Sequence, residues 1–430
     1  MRVRPNWNTG ATACMVALFC ELALGQMRTL QPLPGGGGKT DARVAAAAAA
    51  LAARPGDARL SNELALAYIQ KMRETVDFSY LNRASKLVDS VLEHDPGNYE
   101  GLRLRSEIAM ERHEFALVAE YSEETTRFAP NDPGAWGSLG DALMELGEYQ
   151  RAGEAYAKML ALRPDLASYN RVAWHRFVTG DASGAIATMR AAIASRSPAP
   201  ENVAWCLADL GGILWKLGKE AEASTAYREA LVAFPGYFPA YAGLGRIASA
   251  TNHPREAAEF FLKAQAAAPM PEFAEALEDL YTRMGNARAA LNQRQLIDAI
   301  ESTMRAGGEK TNRNMALLFA NQNRNLDRAR ELVANEIKVR PDIYTFDALA
   351  WVLFRQGQFE AAQTASQKAL ALATPEPAFH FHAAMIAQAL GQNDRAGAEF
   401  QKALALNPNF DFHQASVARE MVSGRAMGGY

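Results

Sequence analysis

Proline recurs along this chain at a fixed interval. Pro96, Pro130 and Pro164 are 34 residues apart, as are Pro235 and Pro269. Pro164 to Pro235 is 71, Pro269 to Pro341 is 72 and Pro341 to Pro408 is 67, each close to two periods. Proline cannot continue a helix and commonly follows its last turn, so a proline period marks a helical unit that ends at the same place each time. The first unit, Pro55 to Pro96, is 41 residues long. Its excess, around Arg73 to Tyr80, is expected to form a loop between two helices.

Composition agrees with helices throughout. About a fifth of the residues are alanine, the best helix former, while β-branched runs and Asn-Gly hairpin signals are nearly absent. Lys and Arg number 45 against 48 Asp and Glu, a net charge of −3, so the chain lacks the basic field that nucleic acid or an acidic membrane would require.

Between the prolines the same residue types return in the same order. The unit starting at Pro133 carries Trp136, Leu139, Gly140, Leu143, Gly147, Tyr149, Ala152, Tyr156, Met159 and Pro164. Others carry Leu207, Leu210, Gly211, Leu214, Gly218, Ala223, Tyr227, Ala230 and Pro235, or Tyr241, Leu244, Gly245, Ala257, Phe261, Ala264 and Pro269. Small residues let paired helices approach, with Gly140 expected to face the neighbouring first helix and Ala152 to let the second helix cross the first. Each hairpin leaves an apolar face that the next one covers, which coils the array around a concave groove.

This pattern resembles the tetratricopeptide repeat family, from Pro55 to Pro408. The resemblance implies an all-α, right-handed superhelical α-solenoid of about ten helical hairpins. The expected organisation is a signal peptide over 1–25, a Gly/Ala leader with a helix over 26–54, the solenoid over 55–408, and a capping helix and tail over 409–430. Asn312 to Asn325 is expected to be a short first helix, and Phe410 to Glu420 the cap.

In this family the groove is lined by positions 2, 5, 6, 9, 12 and 13 of each first helix. That register places Trp174, Trp205, Trp215, Tyr344, Trp351 and Phe354 on the groove, where aromatic side chains supply anchors for a partner. The alternative is that a tight superhelix buries these rings against the adjacent helix. Glu100, Glu107, Glu111, Asp141 and Glu145 fall on groove positions of the second and third units, an acidic end that favours a basic segment; a merely solvated face is the competing interpretation. The Lys and Asn set with which some family members clamp a C-terminal carboxylate is missing.

Arg2 and Arg4, an apolar stretch from Ala11 to Leu24 and Ala23-Leu24-Gly25 have the order of a secretory signal, with cleavage expected after Gly25. A retained anchor is the competing interpretation; Cys14 and Cys20 lie within this segment. Its removal leaves Cys206 as the one thiol, in an apolar run that predicts a buried, unreactive residue. Of the four-glycine run, Gly35 to Gly38 is expected to be flexible and Ala45 to Ala53 helical.

Catalytic and metal motifs are incomplete. Gly38-Lys39-Thr40 has Leu33 where a phosphate loop needs its first glycine, and His113-Glu114 has Leu117 where a zinc helix needs its second histidine. His380 and His382 are two apart, on different sides of a helix, so one is expected in the core and one in the groove. No catalytic, cofactor-binding or metal site is expected. The sequence therefore predicts an exported, periplasmic or secreted, non-catalytic scaffold of the cell envelope. It would hold a protein or extended peptide, a basic one being favoured by the acidic end, and neither bind nucleic acid nor, once mature, span a membrane. The alternative is a regulatory or sensor subunit whose groove holds a small ligand or its own tail.

Overall fold

The computed structural model describes residues 37–75, 77–195 and 200–424. The expected signal segment and Cys14 and Cys20 lie outside the described residues. Within them the chain forms 22 α-helices and no strand. After α1 (Gly37–Ala53), α2 to α21 form ten antiparallel hairpins, followed by α22 (Phe412–Val422). This is the all-α solenoid the proline period predicts.

Among the described residues, those from Gly37 to Arg163, with Thr303–Gly308, form one compact unit, and those of Pro164–Ser302 with Glu309–Gly424 form another. The first contains α1 and the hairpins α2 (Ala58–Thr75) with α3 (Ser79–His94), α4 (Tyr99–Glu111) with α5 (Phe115–Phe128), and α6 (Pro133–Glu145) with α7 (Tyr149–Leu162). Side-chain caps fix where the first helices start: Asn98 accepts from Gly101 N, and Asp132 from Gly134 N and Ala135 N. The excess in the first hairpin lengthens its helices instead of forming a loop. α2 has 18 residues and α3 has 16, because Ile69, Met72 and Leu81 carry the apolar face into the extension and are buried there. α1 also begins at Gly37, inside the glycine run expected to be flexible.

Gly140 serves a different contact from the one expected. A Cβ on it would lie 2.3 Å from Cε1 of Tyr156, on α7. The glycine therefore lets the two helices of one hairpin meet, with the tyrosine ring laid over the backbone of α6.

The second unit holds α8 (Leu166–Val178) with α9 (Ala182–Ala194), α10 (Pro200–Lys216) with α11 (Glu220–Ala233), α12 (Phe238–Ala250) with α13 (Pro254–Ala267), and α14 (Pro271–Arg283) with α15 (Ala287–Ala306). It continues through α16 (Arg313–Asn321) with α17 (Leu326–Val339), α18 (Ile343–Arg355) with α19 (Phe359–Ala369), α20 (Pro377–Ala389) with α21 (Asn393–Leu406), and α22. The last four carbonyls of a helix have no partner within it. In each of α8 and α10 one of these carbonyls is met from far along the chain. Thr374 Oγ1 donates to the Val178 carbonyl at 2.5 Å, and Asn407 Nδ2 to that of Trp215 at 2.6 Å. Thr374 precedes α20 and Asn407 precedes α22, so one device recurs at a one-repeat offset, joining each helix to the loop six hairpins later. Lys216 Nζ lies 2.6 Å from Glu376 Oε2 along the same seam. A Cβ at Gly218 would sit 2.9 Å from the Leu406 carbonyl, and its φ is +69°, so glycine is required there for both reasons.

Candidate partner-binding groove

The seam decides what the predicted aromatic residues do. Trp174, half-buried, stacks on Tyr344 with ring centres 6.2 Å apart, and Lys216 lies 5.8 and 5.6 Å from the two rings. Trp205 and Trp215 are each 7% exposed, which leaves almost no surface for a partner; their placement is that of packing residues, and they are not open anchors. Trp351, 3% exposed, lies between Phe354 and His382 at 4.8 and 4.2 Å, while its Nε1 donates to Asn321 Oδ1 at 2.9 Å.

His382 is buried, with Nδ1 2.9 Å from Asp347 Oδ1. His380 does not enter the groove as expected. Its Nδ1 lies 2.6 Å from Glu399 Oε2 on α21, because position 4 of a first helix faces its own hairpin partner. Cys206 is fully buried and burial pushes its thiol up, as an unreactive role requires. Glu107, Glu111 and Glu145 are half-buried on α4 and α6, while Asp141 is buried and accepts a hydrogen bond from Tyr156 Oη at 2.9 Å. The buried Asp141 therefore serves its hairpin and not an acidic rim.

A cavity of about 600 Å³ opens in the second unit, and its walls follow the groove register. Counting Pro271 as position 1 of α14, Glu272, Glu275 and Asp279 occupy positions 2, 5 and 9; Arg246 on α12, Asn321 on α16 and Trp351 on α18 each occupy position 9. Phe381 and the residues leading into α22 complete the wall. Five carboxylates, Glu272, Glu275, Glu278, Asp279 and Asp411, line it against the arginines Arg246 and Arg355.

Two of these carboxylates are neutralised locally. Glu278 accepts from Arg294 Nε at 2.7 Å and Gln322 Nε2 at 3.1 Å, and Asp279 lies 3.3 Å from Arg283 Nη1 and 2.6 Å from His413 Nε2. Glu272 and Glu275 are less well served. Burial pushes both upward; Asn321 and Asn314 oppose the rise, at Glu275 and Glu272 respectively, and the neighbouring carboxylates add to it at Glu275, which reaches about 8. Asn321 spans the site by accepting from Trp351 and offering Nδ2 to Glu275 Oε1 at 3.5 Å. The arrangement can receive a cation that displaces a proton. The groove register could have exposed the α14 carboxylates in the sequence, since Pro271 opens that helix as Pro133 opens α6.

The tetratricopeptide repeat family model matches residues 116–167, 139–200, 170–238, 208–271 and 348–409. The chain belongs to the tetratricopeptide repeat family. Repeats of this family form protein-interaction scaffolds and are generally non-catalytic. Similar solved structures include the human IFIT1 dimer with m7Gppp-AAAA, 15% identical, covering 78% of this chain and 77% of that one with a TM-score of 0.47. PilW, a widely conserved type IV pilus biogenesis factor, is 18% identical, with coverage of 57% and 93% and a TM-score of 0.34. The pilF protein of Pseudomonas aeruginosa is 22% identical, with coverage of 49% and 92% and a TM-score of 0.36. No curated protein matches the chain. Among the described residues no helix is long and apolar enough to cross a membrane, and no group of three or more His, Cys, Asp or Glu residues could hold a metal.

Proposed function

We propose that this tetratricopeptide repeat protein is an exported, non-catalytic scaffold of the cell envelope that holds an extended protein segment bearing cationic side chains in the groove of its second unit. The observation that carries this reading is the cavity on groove positions, which Glu272 and Glu275 line together with the half-buried Phe410. An extended peptide supplies alternating side chains to such a surface, its cations meeting the carboxylates and an apolar group the Phe410 ring. Phosphates would meet carboxylates instead, which disfavours nucleic acid. Glu107, Glu111 and Glu145 offer a second acidic surface on the first unit.

The test is fluorescence anisotropy with labelled extended decapeptides containing Arg and Lys, compared with charge-reversed versions. The cationic peptides should bind at least about tenfold more tightly, and Glu272→Gln/Glu275→Gln should remove the preference and flatten its salt dependence. Binding that ignores peptide charge would reject the proposal. Export is tested separately by N-terminal sequencing from the native host, which should begin at Gln26. One observation favours the second reading, in which the groove holds the chain's own tail: the start of α22 enters it.

A further inference from the structure

The wall of this groove already carries a short stretch of its own chain. Where the polypeptide enters α22, the Phe412 ring lies under the Arg283 guanidinium, whose carbon is 3.4 Å from the ring centre. The next residue, His413, places Nε2 2.6 Å from Asp279 Oδ1. Asp411 caps the helix by accepting from the backbone N–H groups of His413 and Gln414 at 2.9 and 2.7 Å.

The receiving surface does not depend on this occupant. Arg283 donates from Nη1 to Ser249 Oγ at 3.0 Å and to Asp279 Oδ2 at 3.3 Å, and from Nη2 to the Ser249 carbonyl and Asn252 Oδ1, both at 3.3 Å. These partners come from α12, the residues after it and α14. The guanidinium is thus held by its edges while its face is left for an aromatic ring, the use for which a planar, weakly hydrated cation is suited. The occupant is held less firmly than the helix it begins. The His413 side chain is 54% exposed and Phe412 half-buried, whereas Ala415, Val417 and Ala418 are buried in the body of α22, which packs on α21. The first turn can leave the groove while that body continues to cap the solenoid.

We infer that Arg283 and Asp279 form a docking site for an aromatic side chain followed by a cationic or donor side chain, and that Phe412–His413 occupies it in cis as a built-in competitor of the partner segment. This rests on the groove reading above and specifies it further: the partner presents a ring to Arg283, a donor to Asp279 and its remaining cations to Glu272 and Glu275. The groups facing His413 are the carboxylates of Asp279 and Asp411 and the Arg283 cation.

The test uses the full chain and a labelled peptide copying residues 408–416, Pro-Asn-Phe-Asp-Phe-His-Gln-Ala-Ser. A tethered segment acts at an effective concentration of the order of millimolar, so the wild-type site should be closed to this peptide. Phe412→Ala/His413→Ala should bind it at least about tenfold more tightly than wild type, and adding Asp279→Asn should remove the gain. His413→Ala alone, at an exposed position that cannot unfold the chain, should give an intermediate gain. Equal affinity for wild type and the vacated variant, or no binding to either up to millimolar peptide, would overturn the inference. The cationic decapeptides separate the two claims. If they keep their charge preference while the copied peptide shows no gain, the competitor fails alone; if they bind without regard to charge, the groove reading fails with it.

Discussion

The side-chain amide of Asn407 donates to the backbone carbonyl of Trp215 across 2.6 Å, although 192 residues separate them. Both groups are buried, Asn407 is 2% exposed, and the same carbonyl also accepts from Gly218 N at 2.9 Å, so a truncation removes one of its two hydrogen bonds. Asn407→Ala should therefore cost about 0.5–1.5 kcal/mol, the usual net worth of one hydrogen bond. Thr374→Val, which removes the bond to the buried Val178 carbonyl, should cost more, about 1–3 kcal/mol, and chemical denaturation would measure both. Losses below about 0.5 kcal/mol, the level of ordinary surface substitutions, would mean that the seam adds nothing to stability.

Gly140→Ala should be costly for a reason visible within one hairpin. The added methyl would lie 2.3 Å from a ring that is 3% exposed and whose hydroxyl is fixed on Asp141. Such overpacking costs about 1–3 kcal/mol, and a shift in the urea midpoint would show it. An unchanged midpoint would indicate that Tyr156 has room to move.

Acid should act on the last hairpin through Glu399. Burial pushes its carboxyl up, but hydrogen bonds from His380 and Lys402 outweigh that and hold it at about 2. A carboxylate depressed in the folded state stabilises above its unfolded value of 4.5 and loses that contribution as pH falls from there toward 2. The contribution is on the order of 3 kcal/mol, from about 1.4 kcal/mol per unit. Glu399→Gln should flatten the dependence of Tm on pH in this window alone.

Cation binding should release a proton. Glu275, raised to about 8, is largely protonated at neutral pH, and an arriving cation favours the ionised form. Affinity for the cationic decapeptides should rise with pH toward about 8 and then level. Calorimetry at pH 7 in buffers of different ionisation enthalpy should show the release, and Glu275→Gln should abolish it. A binding enthalpy independent of buffer would count against the proposed site.

What was legible in the sequence was local. Proline stops, paired small residues and helix caps act within one repeat, so they foretold the hairpins and α16, whose Asn312 cap accepts from Met315 N. Burial of the aromatic residues was not legible to the same degree. Trp174 and Tyr344 meet because the second unit returns on itself, bringing α18 to α8 five hairpins later, a distance that depends on small angles summed over many helix contacts. The same limit hid Thr374 and Asn407, polar loop residues whose partners carry no periodic mark. The α14 carboxylates were hidden otherwise: an irregular spacing after Pro269 obscured a register that α14 in fact keeps.

The bond between Thr374 and Val178 also changes how the second unit can assemble. A linear repeat array can nucleate anywhere and grow by neighbour contacts, with each hairpin added independently of distant ones. Here the end of α8 is completed, and that of α10 reinforced, only when the segments before α20 and α22 arrive, 196 and 192 residues later. Closing so long a loop costs entropy but only logarithmically, so the penalty falls mainly on speed. During synthesis the fourth hairpin would wait, with its Val178 carbonyl unpaired, for the segment that leads into the tenth. A chain cut after α19 would lose stability first where it had been folded longest.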